Sequence, residues 1–259
     1  MDAYLIGSYI GHMARARDRH SVHSPFVYDL VEQVLRPDHG PPSADRIEAL
    51  RKSALKDTTT LAVTDHGAGP RRGRSSTRTV ATIARNALTP ARRARMLYRL
   101  TRHLAARHVL ELGTSLGITT LYLAEGSAGG VITIEGCPST AAIAGRHFAT
   151  AGREDITLLT GSFTDRLPHA LAQVPRLDLA YIDGHHAAAP TLAYFEQCLS
   201  KAHNNTAIVF DDIHWSREMG RAWERIKAHP RVTVTIDLYS MGLVFLRREQ
   251  AREHFTLRY

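Results

Sequence analysis

The sequence predicts an α/β protein: a seven-stranded, mostly parallel sheet ending in an antiparallel hairpin, preceded by a helical N-terminal extension. Three observations carry this. From residue 108 onward, short apolar runs at 108–112, 131–135, 156–160, 177–183, 206–211, 232–237 and 242–246 alternate with stretches of helical spacing at 140–151, 191–200 and 216–228. Strands alternating with helices of that length build βαβ units around a parallel sheet. The last two runs are joined only by residues 238–241, too few for a crossover helix, so they pair antiparallel. The first run leads into a glycine-bearing turn and then a helix start.

The elements before residue 108 follow from local signals. Ser24 and Pro25 form an N-cap and first helical position. Phe26, Val27, Leu30, Val31, Val34 and Leu35 continue with helical spacing. A Pro/Gly-rich break at 37–42 precedes a second helix at 44–56, and a short strand or extended stretch follows at 58–64. Residues 67–76 read as a loop, and a helical region from 79 to 107, interrupted near Pro90, leads into the sheet. The division is therefore residues 1–107 as a helical extension or substrate lid, and 108–259 as the sheet domain.

Composition narrows the class. With 259 residues, 44% of them apolar, the chain can bury a sizeable core, which excludes disorder, collagen and a disulfide-stapled miniprotein. Cys137 and Cys198 lack metal-type spacing and fit a reducing compartment. No apolar stretch approaches the ~20 residues that span a bilayer, and the first twenty residues place apolar side chains before basic ones, the reverse of a secretory signal. A cytoplasmic protein without membrane contact is expected. Charge is uneven: residues 1–110 hold 19 Lys/Arg against 9 Asp/Glu, whereas residues 111–259 hold 14 against 16. That basic third is read either as an arginine-rich helical surface or as a contact for nucleic acid, anionic lipid or an acidic substrate.

The segment from Val109 through Glu111, Gly113, Thr114, Ser115 and Gly117 is a strand, a tight turn and a helix start. Gly113 permits backbone geometry closed to other residues, and Gly117 lets the next helix approach a ligand. The helix N-terminus offers unpaired N–H groups to a carboxylate or phosphate. Glu111 suits a cationic cofactor with an amino-acid tail better than a pyrophosphate. Glu135 ends the next strand about 20 residues past the glycines, the register for bonding a ribose diol. After the third strand come Gly161, Ser162 and Phe163; Phe163 is read either as an adenine-stacking face or as core.

Two further acidic segments end strands, where open α/β sheets bind ligands. They are Tyr181-Ile182-Asp183-Gly184-His185-His186 and Asp211-Asp212-Ile213-His214-Trp215. Three carboxylates there make an oxygen-rich site hard enough for Mg²⁺ or Ca²⁺; otherwise they cap helices and turns. His20 and His23 have metal-like spacing but no acidic third ligand close by, so helix entry accounts for them better. Asp65-His66-Gly67-Ala68-Gly69 is read as a surface turn or as a loop folded over the site.

Taken together, the E-x-G-x-x-x-G loop, Glu135, the order of elements and the terminal hairpin resemble a class I S-adenosylmethionine-dependent methyltransferase with a Rossmann-like sheet. The likeness covers about 150 residues, from 108 to the end, and its subgroup is similar to the small catechol and caffeoyl-CoA O-methyltransferases. The segments at 20–26, 65–69 and 211–216 resemble a bacterial branch of that class. The resemblance implies S-adenosylmethionine as cofactor, with Glu111, Gly113, Thr114, Ser115, Gly117, Glu135, Gly161, Ser162, Phe163 and Asp183 around it. It also implies a divalent metal such as Mg²⁺ on Asp183, Asp211 and Asp212; the departure is Asp212, where the catechol type has Asn. His186 stands where that type carries a lysine, and an imidazole can take a proton at neutral pH, with His185 and His214 behind it. The implied reaction is O-methylation of a small hydroxylated molecule. An RNA methyltransferase using the basic third and a non-catalytic cofactor-binding module are the alternatives, and assembly as a homodimer stays open.

Overall fold

Two parallel strands, Val109–Leu112 and Leu177–Ile182, are buried from end to end and form the middle of the molecule, because a parallel strand covered by helices on both faces needs continuous apolar sequence. The computed structural model describes residues 3–17, 22–64 and 76–259. In chain order the elements are α1 (Ala3–Arg15), α2 (Pro25–Leu30) with a π-helical turn at Val31–Leu35, α3 (Ala44–Ala54), β1 (Thr60–Ala62), β2 (Thr77–Thr79), α4 (Val80–Ala87) and α5 (Ala91–His103). The sheet domain continues with β3 (Val109–Leu112), α6 (Ile118–Gly126), β4 (Val131–Glu135), α7 (Pro138–Ala151), β5 (Ile156–Thr160), α8 (Phe163–Ala172), β6 (Leu177–Ile182) and α9 (Ala188–Leu199). It closes with β7 (Ala202–Asp211), α10 (Arg217–Ala228), β8 (Val234–Asp237), β9 (Met241–Phe245) and β10 (Glu253–Thr256). His20 and the 65–69 segment lie outside the described residues.

The main sheet runs β10-β8-β9-β7-β6-β3-β4-β5. The seven expected strands are all present, and β9 lies antiparallel between β7 and β8 as the short 238–241 connection requires. An eighth strand, β10, adds a parallel edge beside β8. Its sequence, Glu253-His254-Phe255-Thr256, buries only Phe255, so it lacks the apolar alternation that marks the others. Helix α8 carries Pro168 in its interior, which removes one backbone donor and conceals the helix from pattern reading. Its start is fixed by the Ser162 hydroxyl, which accepts from the Asp165 backbone N–H at 3.2 Å.

Alternation along β6 sends Leu179 and Tyr181 to one face and Ala180 and Ile182 to the other. The first face packs on Val27, Leu30 and Val34 of the N-terminal helices and on Met96, Leu97 and Leu100 of α5. The second packs on Leu171 of α8, Phe195 of α9 and Trp223 of α10. Each such side chain contributes roughly 1.5–3 kcal/mol by leaving water. The α2 helix, the π-helical turn and α5 therefore cover one face of the sheet. Part of their arginine excess is internal: Arg99 is buried and donates to the carbonyls of Val34 (2.8 Å) and His39 (2.7 Å), and Arg51 donates to Thr89 (2.9 Å). Among the described residues, no helix is long and apolar enough to cross a membrane.

Candidate active site

The C-terminal ends of β3, β4, β6 and β7 open into a cleft of about 570 Å³, roofed by residues of the β2, α4 and α5 region. Gly113 follows β3 at φ +104°, and a Cβ there would stand 1.8 Å from the Asp183 carbonyl oxygen. Only glycine lets the first and fourth parallel strands of the sheet domain end side by side. The turn continues through Ser115, itself at φ +48°, to Gly117, which caps α6 in the left-handed conformation. A Cβ on Gly117 would come within 2.5 Å of the Phe148 ring, so this glycine serves the packing of α6 on α7.

Glu135 reaches the cleft from the end of β4. Its two carboxylate oxygens accept backbone N–H groups from Ser115 (2.8 Å) and Cys137 (2.9 Å), which fixes the side chain across the glycine turn. Gly161 donates its N–H to the Glu135 carbonyl at 2.9 Å and steadies the strand end. Ser162 and Phe163 line the same wall; Phe163 meets His185 and Tyr194 edge-on, with ring centroids 5.6 and 5.7 Å apart.

At the other end of the cleft lie Asp183, Asp211, Asp212, His186 and Trp215. The buried Tyr181 hydroxyl donates to Asp183 Oδ2 at 3.0 Å and sits 3.3 Å from Asp211 Oδ2, with Thr89 Oγ1 also at 3.3 Å. Arg93, from α5, brings Nη1 to 3.6 Å from Asp211 Oδ1. Burial first, and then the neighbouring carboxylates, push the Asp183 and Asp211 carboxyls well above the usual range. Asp211 Oδ1 is buried with no hydrogen-bond partner. His186, at φ +38°, holds Nε2 3.9 Å from Asp183 Oδ1 and tilts its ring against Trp215 at 5.7 Å.

A methyltransferase-domain family profile matches residues 110–213, the span that holds the glycine turn and every acidic group just described. A catechol O-methyltransferase from Mycobacterium tuberculosis is 33% identical over 126 residues, 48% of this chain and 56% of that protein. A second, from Niastella koreensis, is 31% identical over 112 residues, 42% of this chain and 50% of its own length. Residues 110–213 therefore match a methyltransferase-domain family, and just under half of the chain is similar to catechol O-methyltransferases. The chain spans about half the length of the curated relatives it matches. The fold likeness reaches further: an S-adenosylhomocysteine-bound methyltransferase from Podospora anserina superposes with a TM-score of 0.61 over 87% of this chain and 97% of that one, at 13% identity.

Nine of the sequence-derived site residues line the cleft: Gly113, Ser115, Glu135, Ser162, Phe163, Asp183, His186, Asp211 and Asp212. Glu111, Thr114, Gly117 and Gly161 support its walls. Thr114 is buried against Thr133, with hydroxyls 2.6 Å apart. His185 lines the cleft but is engaged by the Tyr194 hydroxyl at 2.9 Å, and His214 pairs with Asp237 at 2.8 Å away from the cleft. Tyr181, Thr89 and Arg93 were not singled out from the sequence: Tyr181 stands in an apolar strand run, and the other two come from the helical extension. The basic excess of the first third is the one signal that pointed towards Arg93.

Glu111 is wholly buried, accepting from Thr120 (2.5 Å) and Thr133 (2.6 Å) on Oε2, while Oε1 has no hydrogen-bond partner. Burial pushes its carboxyl up to about 7. The folded protein therefore keeps a proton that the unfolded chain loses from about pH 4.5, so stability falls as pH rises from there to about 7 and then levels. Glu111→Gln should remove that loss, gaining about 3 kcal/mol on the parent between pH 4 and pH 8. Urea unfolding of both proteins across this range measures it; parallel profiles would show that Glu111 ionises freely in the fold.

Proposed function

We propose that the protein is an S-adenosylmethionine-dependent O-methyltransferase acting on a small hydroxylated molecule with the help of a divalent cation. The observation that carries the reading is the pairing of Glu135 beside the glycine turn with three strand-end carboxylates in one cleft. S-adenosylmethionine supplies an electrophilic methyl group on sulfur, and a hard cation lowers the pKa of a bound hydroxyl. Each Glu135 oxygen accepts one backbone N–H, which aims the carboxylate across the glycine turn at the strand-end position suited to a ribose diol. Ser115, Ser162 and Phe163 form the remaining cofactor wall, Phe163 giving an apolar face for the adenine.

The acidic end fits a cation by its chemistry. Asp183, Asp211 and Asp212 offer only oxygen donors, suited to Mg²⁺; Asp211 Oδ1 is buried without a hydrogen bond, 3.6 Å from Arg93, and a cation there would favour the ionised carboxylates that burial disfavours. His186 accepts the hydroxyl proton as the methyl group transfers, and Asp183, beside its Nε2, stabilises the resulting imidazolium. Tyr181 holds Asp183 and Asp211 in register through its single hydroxyl. Residues 1–107 act as the substrate-side cover. Two of their arginines, Arg51 and Arg99, are spent inside the fold on Thr89, Val34 and His39, which favours a small substrate over RNA.

The test is transfer of labelled methyl from S-adenosylmethionine to a panel of catechols and other vicinal hydroxyl compounds, with Mg²⁺ or with EDTA. Methylated product from at least one compound, lost with EDTA, is the expected outcome. Transfer to RNA that weakens steeply with salt, with none to small molecules, would overturn it.

A further inference from the structure

A second cluster of metal-ligating side chains lies outside the cleft and takes no part in the proposed reaction. His12 comes from α1, His214 from the segment after β7, and Asp237 ends β8. His12 Nδ1 stands 3.2 Å from Asp237 Oδ1, and His214 Nε2 stands 2.8 Å from Asp237 Oδ2. One ligand atom from each residue lies within 4.8 Å of the others, and among the described residues no other trio of such groups is drawn together so closely, the three cleft carboxylates included. Ligands about 2.0–2.2 Å from a tetrahedral ion stand roughly 3.3–3.6 Å apart, so only a small adjustment separates this trio from a coordination sphere.

The cluster is enclosed and ordered. His12 is 2% exposed and Asp237 8%. Tyr239 stacks on His214 with centroids 5.2 Å apart and meets His12 edge-on at 5.4 Å. Its hydroxyl donates to the Leu5 carbonyl at 2.9 Å, and its backbone N–H donates to Asp237 Oδ1 at 2.8 Å. That last bond orients the carboxylate in the way outer groups commonly fix a metal ligand. His12 Nδ1 is buried, aimed at this carboxylate, and makes no hydrogen bond of acceptable geometry. Its contact there is the 3.2 Å approach to Asp237 Oδ1, which a metal ion held between the two groups would replace.

We propose that His12, His214 and Asp237 form a transition-metal site that takes Zn²⁺, with water as the fourth ligand, and pins α1 to the strand ends beside the cleft. Two imidazole nitrogens and one carboxylate select Zn²⁺ over Mg²⁺ or Ca²⁺, which prefer an all-oxygen shell. The ion binds only the folded arrangement, because the three ligands are more than 200 residues apart at their extremes, so occupancy stabilises the fold.

The test uses tag-free full-length protein stripped with a chelator and titrated with Zn²⁺, and with Co²⁺ as an absorbing stand-in, in excess Mg²⁺. One equivalent should bind, the Co²⁺ complex should show visible bands of low coordination number, and the thermal midpoint should rise. His214→Gln and Asp237→Asn should each abolish stoichiometric uptake while staying folded by circular dichroism; His12→Gln is a third variant should either of them unfold. No stoichiometric uptake by the parent protein, or uptake unchanged in two folded variants, would overturn the site. Neither outcome bears on the methyl-transfer reading, which is tested with Mg²⁺ and different residues.

Discussion

Replacing Asp183 by Asn is expected to lower the rate of methyl transfer about 10²- to 10⁴-fold, with cofactor affinity changed far less. Asp183 accepts the Tyr181 hydroxyl, stands 3.9 Å from His186 Nε2, and shares the cleft end with Asp211 and Asp212. The amide keeps the shape and an oxygen acceptor for Tyr181 but removes the charge that a cation and an imidazolium both require. The loss should therefore appear in kcat at saturating cofactor, and raising Mg²⁺ should recover part of it if the cation still binds through the other two carboxylates. His186→Gln separates the two roles: it should slow transfer without changing the Mg²⁺ dependence. A rate for Asp183→Asn within threefold of the parent would remove this carboxylate from the chemistry.

Glu135→Ala should weaken S-adenosylmethionine binding at least about 100-fold, because two charge-assisted bonds to a ribose contribute on the order of 1.5–3 kcal/mol each. The same change releases the N–H groups of Ser115 and Cys137, so the glycine turn loses its brace as well. Glu135→Gln distinguishes the contributions. It keeps an oxygen for one backbone N–H and loses the charge, and its affinity should fall between the other two. Equal affinity in all three proteins would show that the cofactor bonds elsewhere.

The strands were legible because parallel strands advertise themselves as unbroken apolar runs. The stretches 131–135 and 156–160 coincide with β4 and β5 to the residue. Strand-end acids were legible for the related reason that Glu135, Asp183 and Asp211 interrupt such runs where the sheet opens. Side-chain direction and long-range pairing were not. Glu111 sits one position from Leu112 in β3 yet is sealed among Thr120 and Thr133, a burial that the linear motif does not express. His214 lies two residues past Asp212, but its partner, Asp237, arrives from β8 and draws it out of the cleft. Gly117 looked like a ligand-approach glycine and proves to be a packing glycine, because Phe148 lies 31 residues further on. Tyr181 was hidden by its own strand, where a tyrosine among apolar residues reads as core until Asp183 and Asp211 are seen beside its hydroxyl.

The cleft between the glycine turn and the three carboxylates is the proposed seat of S-adenosylmethionine. Calorimetric titration of the intact protein with S-adenosylmethionine and with S-adenosylhomocysteine, in Mg²⁺ and then in EDTA, tests it most directly. Micromolar binding of both ligands at one site per chain is expected in either buffer, weakened in Glu135→Ala. Absence of binding by either ligand, in protein shown to be folded, would contradict it.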